Sequence, residues 1–353
     1  MHNIDHNPSS MNNIEEHEYG VQIQNGTKQA SFRQNFEKYY DRLSCWMILS
    51  MFFCSPFVFL FMCITSPLWI FALIYLWWMY YDRETPHEGG RRQMWLRKSR
   101  FWRCSRDYFP IKLVKTAELP PDTTYLFASF PHGFLSIGAL INFLTDVNNF
   151  DEAFPGLNVY LCSLSTYFKV PFIRDLLLFL CVCVCSPRGI LHELNGPAGN
   201  VGVVVVGGMA EMIVSRPSTN RLILKNRKGF VKLALKAGSS LVPVYTFGEP
   251  NTYDQPFNGK WYKWLQKIRS PQSAGFALFS GPCEPGYLFG LLPYQTPLTT
   301  VVGKPIKLPK VENPTNGMVD EYHTKFVQEL TKLFEKYKIK YDPQGENAIL
   351  SIE

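Results

Sequence analysis

Residues 43–81 read LSCWMILSMFFCSPFVFLFMCITSPLWIFALIYLWWMYY and carry no charged side chain. As one straight helix this stretch would extend ~58 Å. The apolar core of a bilayer is ~30 Å thick, so a single span is too few. Pro56 and Pro67 interrupt the run, and Thr65-Ser66-Pro67 is a natural turn. Two membrane helices joined near residue 66 fit the length. A re-entrant hairpin that returns to the same face fits it equally.

What flanks the run sets its orientation. Residues 82–117 hold ten Lys or Arg against four Asp or Glu, nearly all of the chain's net charge of +7. Basic flanks stay on the cytosolic side, so both ends of the chain are expected to face the cytosol. Trp95 and Trp102 stand among these arginines. The stretch reads as a headgroup-binding surface, or as an ordinary solvated charged face. A phospholipid membrane is the expected partner, and no nucleic acid is. Residues 1–35 are polar, without apolar periodicity, and read as a flexible tail. The nine cysteines follow no metal-binding spacing. They read as reduced thiols, with Cys181, Cys183 and Cys185 alternating on one face of a strand as small buried apolar groups.

Past residue 118 strand-like and helix-like segments alternate. TYLFAS, NVYLCSL, VGVVVV and SLVPVYTF read as buried strands; GFLSIGALINFLTDV, VPFIRDLLLFL and RKGFVKLALKAG read as helices. A closing amphipathic helix at 317–338 places Val319, Tyr322, Phe326, Leu330 and Phe334 on one side. Such alternation predicts an α/β domain over 118–340, a mixed sheet flanked by helices, followed by a tail at 341–353.

Three places could carry chemistry. His132 follows a strand and is expected to open a helix, with Pro131 before it and Gly133 after it. Strand ends feeding helices are where such folds place their sites, and a helix N-terminus favours an oxyanion. A neutral histidine there can accept a proton; a structural histidine fits the same local pattern. Glu211 lies just beyond VVVVGG, where it could place negative charge at a helix N-terminus or orient a histidine ring. Lys225, Arg227 and Lys228 precede a helix and could grip phosphate, or be plain surface charge. No G-x-S-x-G elbow, H-E-x-x-H zinc motif, Walker loop or dinucleotide fingerprint is present.

Taken together, these blocks resemble the family of monoacylglycerol, diacylglycerol and wax-alcohol acyltransferases. The likeness runs over roughly 80–340 through YFPIKLVKTAEL, PHGFLSIGA, FPGL with PFIRD, VVVGGMAE, RKGFVKLALKAGSSLVPVYTFGE and GLLPYQTPLTTVVGKPI. It implies a glycerolipid-acyltransferase-like fold behind the membrane hairpin. It implies acyl-CoA as co-substrate with no bound cofactor or metal, and diacylglycerol as acceptor. The family's His-Pro-His-Gly block stands here as Phe130-Pro131-His132-Gly133. The residue implied as base is therefore His132, and the first histidine is replaced. Ile137 stands five residues after His132, so the H-x-x-x-x-D pairing of other glycerolipid acyltransferases is missing. The orienting acid falls to Glu211, the oxyanion donors to the vicinity of Gly133, and the CoA phosphates to Lys225, Arg227 and Lys228. Monoacylglycerol or fatty alcohol as acceptor, and a catalytically silent lipid-droplet protein, stay open. The endoplasmic reticulum membrane is the implied location, with the lipid-droplet surface a further one and a second copy of the chain an open partner.

Overall fold

Short valine-rich runs bounded by glycine and proline are too brief for helices that could bury themselves. They become the middle of a sheet. The computed structural model describes residues 17–20, 43, 47, 50–51, 54–65, 67–254 and 292–353. Its strands are β1 (His17–Gly20), β2 (Lys112–Lys115), β3 (Tyr125–Phe130), β4 (Asn158–Ser163), β5 (Val182–Val184), β6 (Asn200–Val205), β7 (Asn220–Leu222), β8 (Ser240–Phe247), β9 (Thr299–Val302) and β10 (Leu350–Ile352). Eight of them form one sheet in the order β1-β2-β9-β8-β3-β6-β4-β5. The β1/β2 and β8/β9 pairs are antiparallel and the other pairs parallel. The expected mixed sheet flanked by helices is therefore what forms.

Alternation along β3 builds both faces. Tyr125 and Phe127 join a core with Phe143, Phe150 and Phe154, under helices Phe101–Tyr108, Ile137–Leu144 and Ile173–Phe179. Leu126, Ala128 and Phe130 join another with Phe230, Tyr245, Phe326 and Phe334, under helices Pro187–Leu194, Gly229–Ala237 and Asn316–Tyr341. The closing helix buries Val319, Phe326, Leu330 and Phe334, as its spacing predicts. Its N-cap Thr315 accepts the Met318 N–H at 3.3 Å.

Several boundaries differ from those read in the sequence. His17–Gly20, inside the expected tail, adds an edge strand on β2. At the other end, Leu350–Ile352 pairs in parallel with Asn220–Leu222, and the Glu353 N–H donates to the Leu222 carbonyl at 2.8 Å. The cysteine alternation spans only one strand residue, Cys183. Cys181 sits before β5 with φ +61°, and Cys185 lies after it and is exposed. Local alternation reads as strand, but the pairing stops where the chain turns into Pro187–Leu194. Of the two tryptophans expected at headgroups, Trp95 is 70% exposed while Trp102 is buried in the core. The helix Phe101–Tyr108 is amphipathic, and Trp102 lies on its inner side.

The apolar run folds as two arms. Residues 54–64 are helical, the chain turns at 67–68, and Trp69–Tyr81 forms the second helix. That helix is only ~20 Å long, and among the described residues no helix is long and apolar enough to cross a membrane. Phe71, Leu73, Ile74 and Trp77 are exposed on it. Tyr75 docks it: the hydroxyl accepts the Phe172 N–H at 2.8 Å and bonds Asp175, and the ring stacks 5.1 Å from that of Phe172. Phe59, from the first arm, lies 6.2 Å from both rings.

Candidate active site

Strands β8, β3 and β6 are adjacent, parallel and nearly level, with Ser129 opposite Val205 on one side and Phe130 opposite Tyr245 on the other. Their C-terminal ends therefore release three chain segments side by side. From β3 comes His132, from β6 Glu211, and from β8 Glu249.

The loop after β3 is held by its own backbone. Gly133 has φ +56° and Ser136 φ +55°. The Ser136 hydroxyl donates to the His132 carbonyl at 2.8 Å. The helix begins only at Ile137, so His132 precedes it by a loop and does not open it. The His132 Nδ1 lies 3.3 Å from the Gly133 carbonyl oxygen. A carbonyl only accepts, so Nδ1 carries the proton and Nε2 keeps its lone pair. Burial holds this imidazole below its ordinary pKa, so it is neutral at physiological pH.

Glu211 meets His132 through the backbone, not through the ring: its Oε1 accepts the His132 N–H at 3.3 Å. Burial pushes its pKa up to about 8, and the amides of His132 and Ile223 and the Arg227 guanidinium offset this only partly. Oε2 is buried with no hydrogen-bond partner. Glycine at 207 makes this arrangement possible, because a Cβ there would lie 1.3 Å from Oε2. Burial favours its protonated form, and through Oε1 it steadies the His132 backbone.

Glu249 is the residue that sequence reasoning missed. It follows Gly248 at the end of β8 and is completely buried. Its Oε1 accepts the Ile137 N–H at 2.7 Å and its Oε2 the Gly138 N–H at 2.8 Å. The helix N-terminus expected to serve an oxyanion thus already holds the Glu249 carboxyl group. The only signal in the sequence was the last letter of VPVYTFGE, which has no meaning until β8 is known to lie beside β3.

The basic residues divide. Lys228 is paired with Asp320 at 2.6 Å. Lys225 and Arg227 are exposed, and Arg227 is close enough to Glu211 to act on its ionisation. Phe130 belongs to the core: it is fully buried, with its ring 6.1 Å from that of Phe326. Phe134, within the loop, has its ring 4.9 Å from that of Tyr253.

Residues 59–351 match the family described as diacylglycerol acyltransferase. The diacylglycerol O-acyltransferase 2 of Homo sapiens is 42% identical over 311 residues, 85% of this chain and 76% of the relative. Its namesake from Xenopus tropicalis is 43% identical over 306 residues, covering 84% and 81%. The acyl-CoA wax alcohol acyltransferase 1 of Homo sapiens is 40% identical over 296 residues, covering 83% and 90%. Among solved structures, the 1-acyl-sn-glycerophosphate acyltransferase of Thermotoga maritima covers 85% of this chain and 98% of its own. At 13% identity and a TM-score of 0.39 that likeness is too slight to place the fold.

Proposed function

The chain belongs to the diacylglycerol acyltransferase family and is an acyl-CoA-dependent acyltransferase that makes triacylglycerol; from that premise we propose that it transfers the acyl group directly, with His132 as general base. The observation that carries this is a neutral imidazole at the level ends of three parallel strands, with Nδ1 on a carbonyl and Nε2 left as the base.

Nε2 takes the proton of the acceptor hydroxyl as the hydroxyl oxygen attacks the thioester carbonyl carbon. The tetrahedral oxyanion collapses, the carbon–sulfur bond breaks, and the CoA thiolate takes the proton from the imidazolium. Triacylglycerol and CoA are the products. The thioester is already activated, so the scheme calls for no bound cofactor. Glu249 already occupies the amides of Ile137 and Gly138, so the oxyanion falls to the Gly133 N–H in the loop. Arg227, near Glu211, and the exposed Lys225 are suited to the CoA phosphates, with Lys228, paired to Asp320, close to them in the chain.

Diacylglycerol dissolves in the bilayer, and the exposed apolar side chains of Trp69–Tyr81 supply a surface that enters lipid. We place the enzyme in the endoplasmic reticulum membrane or on lipid droplets, with the hairpin re-entrant and both ends cytosolic. A glycan on Asn25, which lies outside the described residues, would contradict that orientation. Fatty alcohol is a second acceptor to test, because the wax alcohol relative matches over most of its length. Membranes supplied with labelled acyl-CoA and each acceptor in turn decide it: triacylglycerol as the main product is expected, and wax ester as the main product reverses the assignment.

A further inference from the structure

We propose that Glu249 is a positioning residue for acyl transfer, fixing the His132 loop by holding the first two amides of the helix Ile137–Leu144. The proposal rests on the reading of His132 as base.

The loop from Pro131 to Ser136 has two left-handed residues, Gly133 and Ser136, and no side-chain cap on its helix. A loop of that kind needs an external hold to keep one conformation. Glu249 supplies it from the neighbouring strand. One oxygen takes Ile137 and the other Gly138, so the carboxylate grips the helix end at two points. It also touches the loop itself. A Cβ on Gly133 would come within 2.6 Å of the Glu249 Cγ and 3.2 Å of its Oε1. Glycine at 133 therefore does two things: it adopts φ +56° and lets this side chain close against the residue after His132.

Glu249 is itself tethered. It starts the short helix Glu249–Thr252, and the Thr252 hydroxyl donates to its carbonyl at 2.8 Å. Both residues are fully buried. Buried hydrogen bonds thus link the end of β8 to the helix that follows the His132 loop. Glu211 holds the same loop from the opposite strand, at the His132 amide. His132 sits between two carboxyl groups, neither of which bonds its ring.

The test compares wild type, Glu249→Gln, Thr252→Val and His132→Ala as full-length protein in membranes, measuring kcat and KM for acyl-CoA. Glutamine keeps one acceptor but turns an NH2 toward a backbone N–H, so the hold is halved without a change of volume. We expect kcat to fall by about tenfold or more with KM within about twofold, because misplacing a base costs turnover and spares binding. Thr252→Val should show the same selective loss at about threefold, and serves if Glu249→Gln does not accumulate. A merely stabilising residue would lower the amount of folded enzyme and leave kcat per folded molecule unchanged; that result overturns the proposal. If His132→Ala keeps its activity, the base assignment and the positioning role fall together. If His132→Ala is dead and Glu249→Gln keeps wild-type kcat, the positioning role alone falls.

Discussion

Gly207 is chemically blank, yet it decides where Glu211 can be. The carboxyl occupies the space a Cβ at 207 would need, so Gly207→Ala must push Glu211 off the His132 amide. We predict that Gly207→Ala and Glu211→Ala lose acyl transfer to the same degree, about tenfold or more, measured per folded molecule. Phe130 makes the opposite case. Its ring lies in the core against Phe326, so Phe130→His should leave the rate within about threefold. It should also lower stability by about 1–3 kcal/mol, because a polar ring enters an apolar core without a partner. A large gain in rate would mean that position 130 reaches substrate after all. At this scale the placement of His132, Gly133 and Glu211 was legible in the sequence, since each follows the end of a buried strand by a few residues with glycine in between or alongside. It did not make their contacts legible. Whether Glu211 meets the ring or the amide of His132 depends on a few ångströms across two strands, and no spacing along one chain encodes that.

Elements were legible where periodicity is long and obscure where pairing is distant. The helix Asn316–Tyr341 repeats its apolar residues over many turns, so its inner face could be read directly. Phe326 sits at the centre of that face, between Phe130 and Phe230. Phe326→Ala should cost about 3–5 kcal/mol, seen as a lower denaturation midpoint, while the surviving folded enzyme keeps its KM. The edge strand β1 and the strand β10 were not legible, because each is defined by a partner almost 100 residues or more away. The break between two apolar helices was visible at Pro67, but the docking of the second helix was not. Tyr75 looks like one more aromatic in an apolar helix; in the fold its hydroxyl takes the Phe172 amide and bonds Asp175. Tyr75→Phe should free the helix Trp69–Tyr81 from the domain, at a cost of about 1–3 kcal/mol. Faster protease cleavage near residues 82–90 would report it, and unchanged cleavage would count against the docking.

At the scale of the whole molecule, three buried glutamates among the described residues give stability an unusual dependence on pH. Burial raises Glu193 and Glu249 to about 7 and Glu211 to about 8. Each is protonated in the fold at a pH where the unfolded chain has released its proton. Their contribution is therefore full below an ordinary carboxyl pKa and is lost as pH rises through 7 to 8. The lowered His132 and His323 act in the other direction, but their effect is complete once pH passes the ordinary histidine value. From pH 7 to 8.5 the protein should thus lose stability, and Glu211→Gln should flatten that decline. A wild-type melting temperature that rises over the same interval would contradict the buried acid.

The central claim is that His132 is the base for transfer to diacylglycerol. The most direct measurement is the rate of labelled triacylglycerol formation from acyl-CoA by wild type and His132→Ala, each normalised to folded protein. A fall of about 100-fold or more is expected for the variant, with the amount of folded protein unchanged. A variant that works within about tenfold of wild type would contradict it.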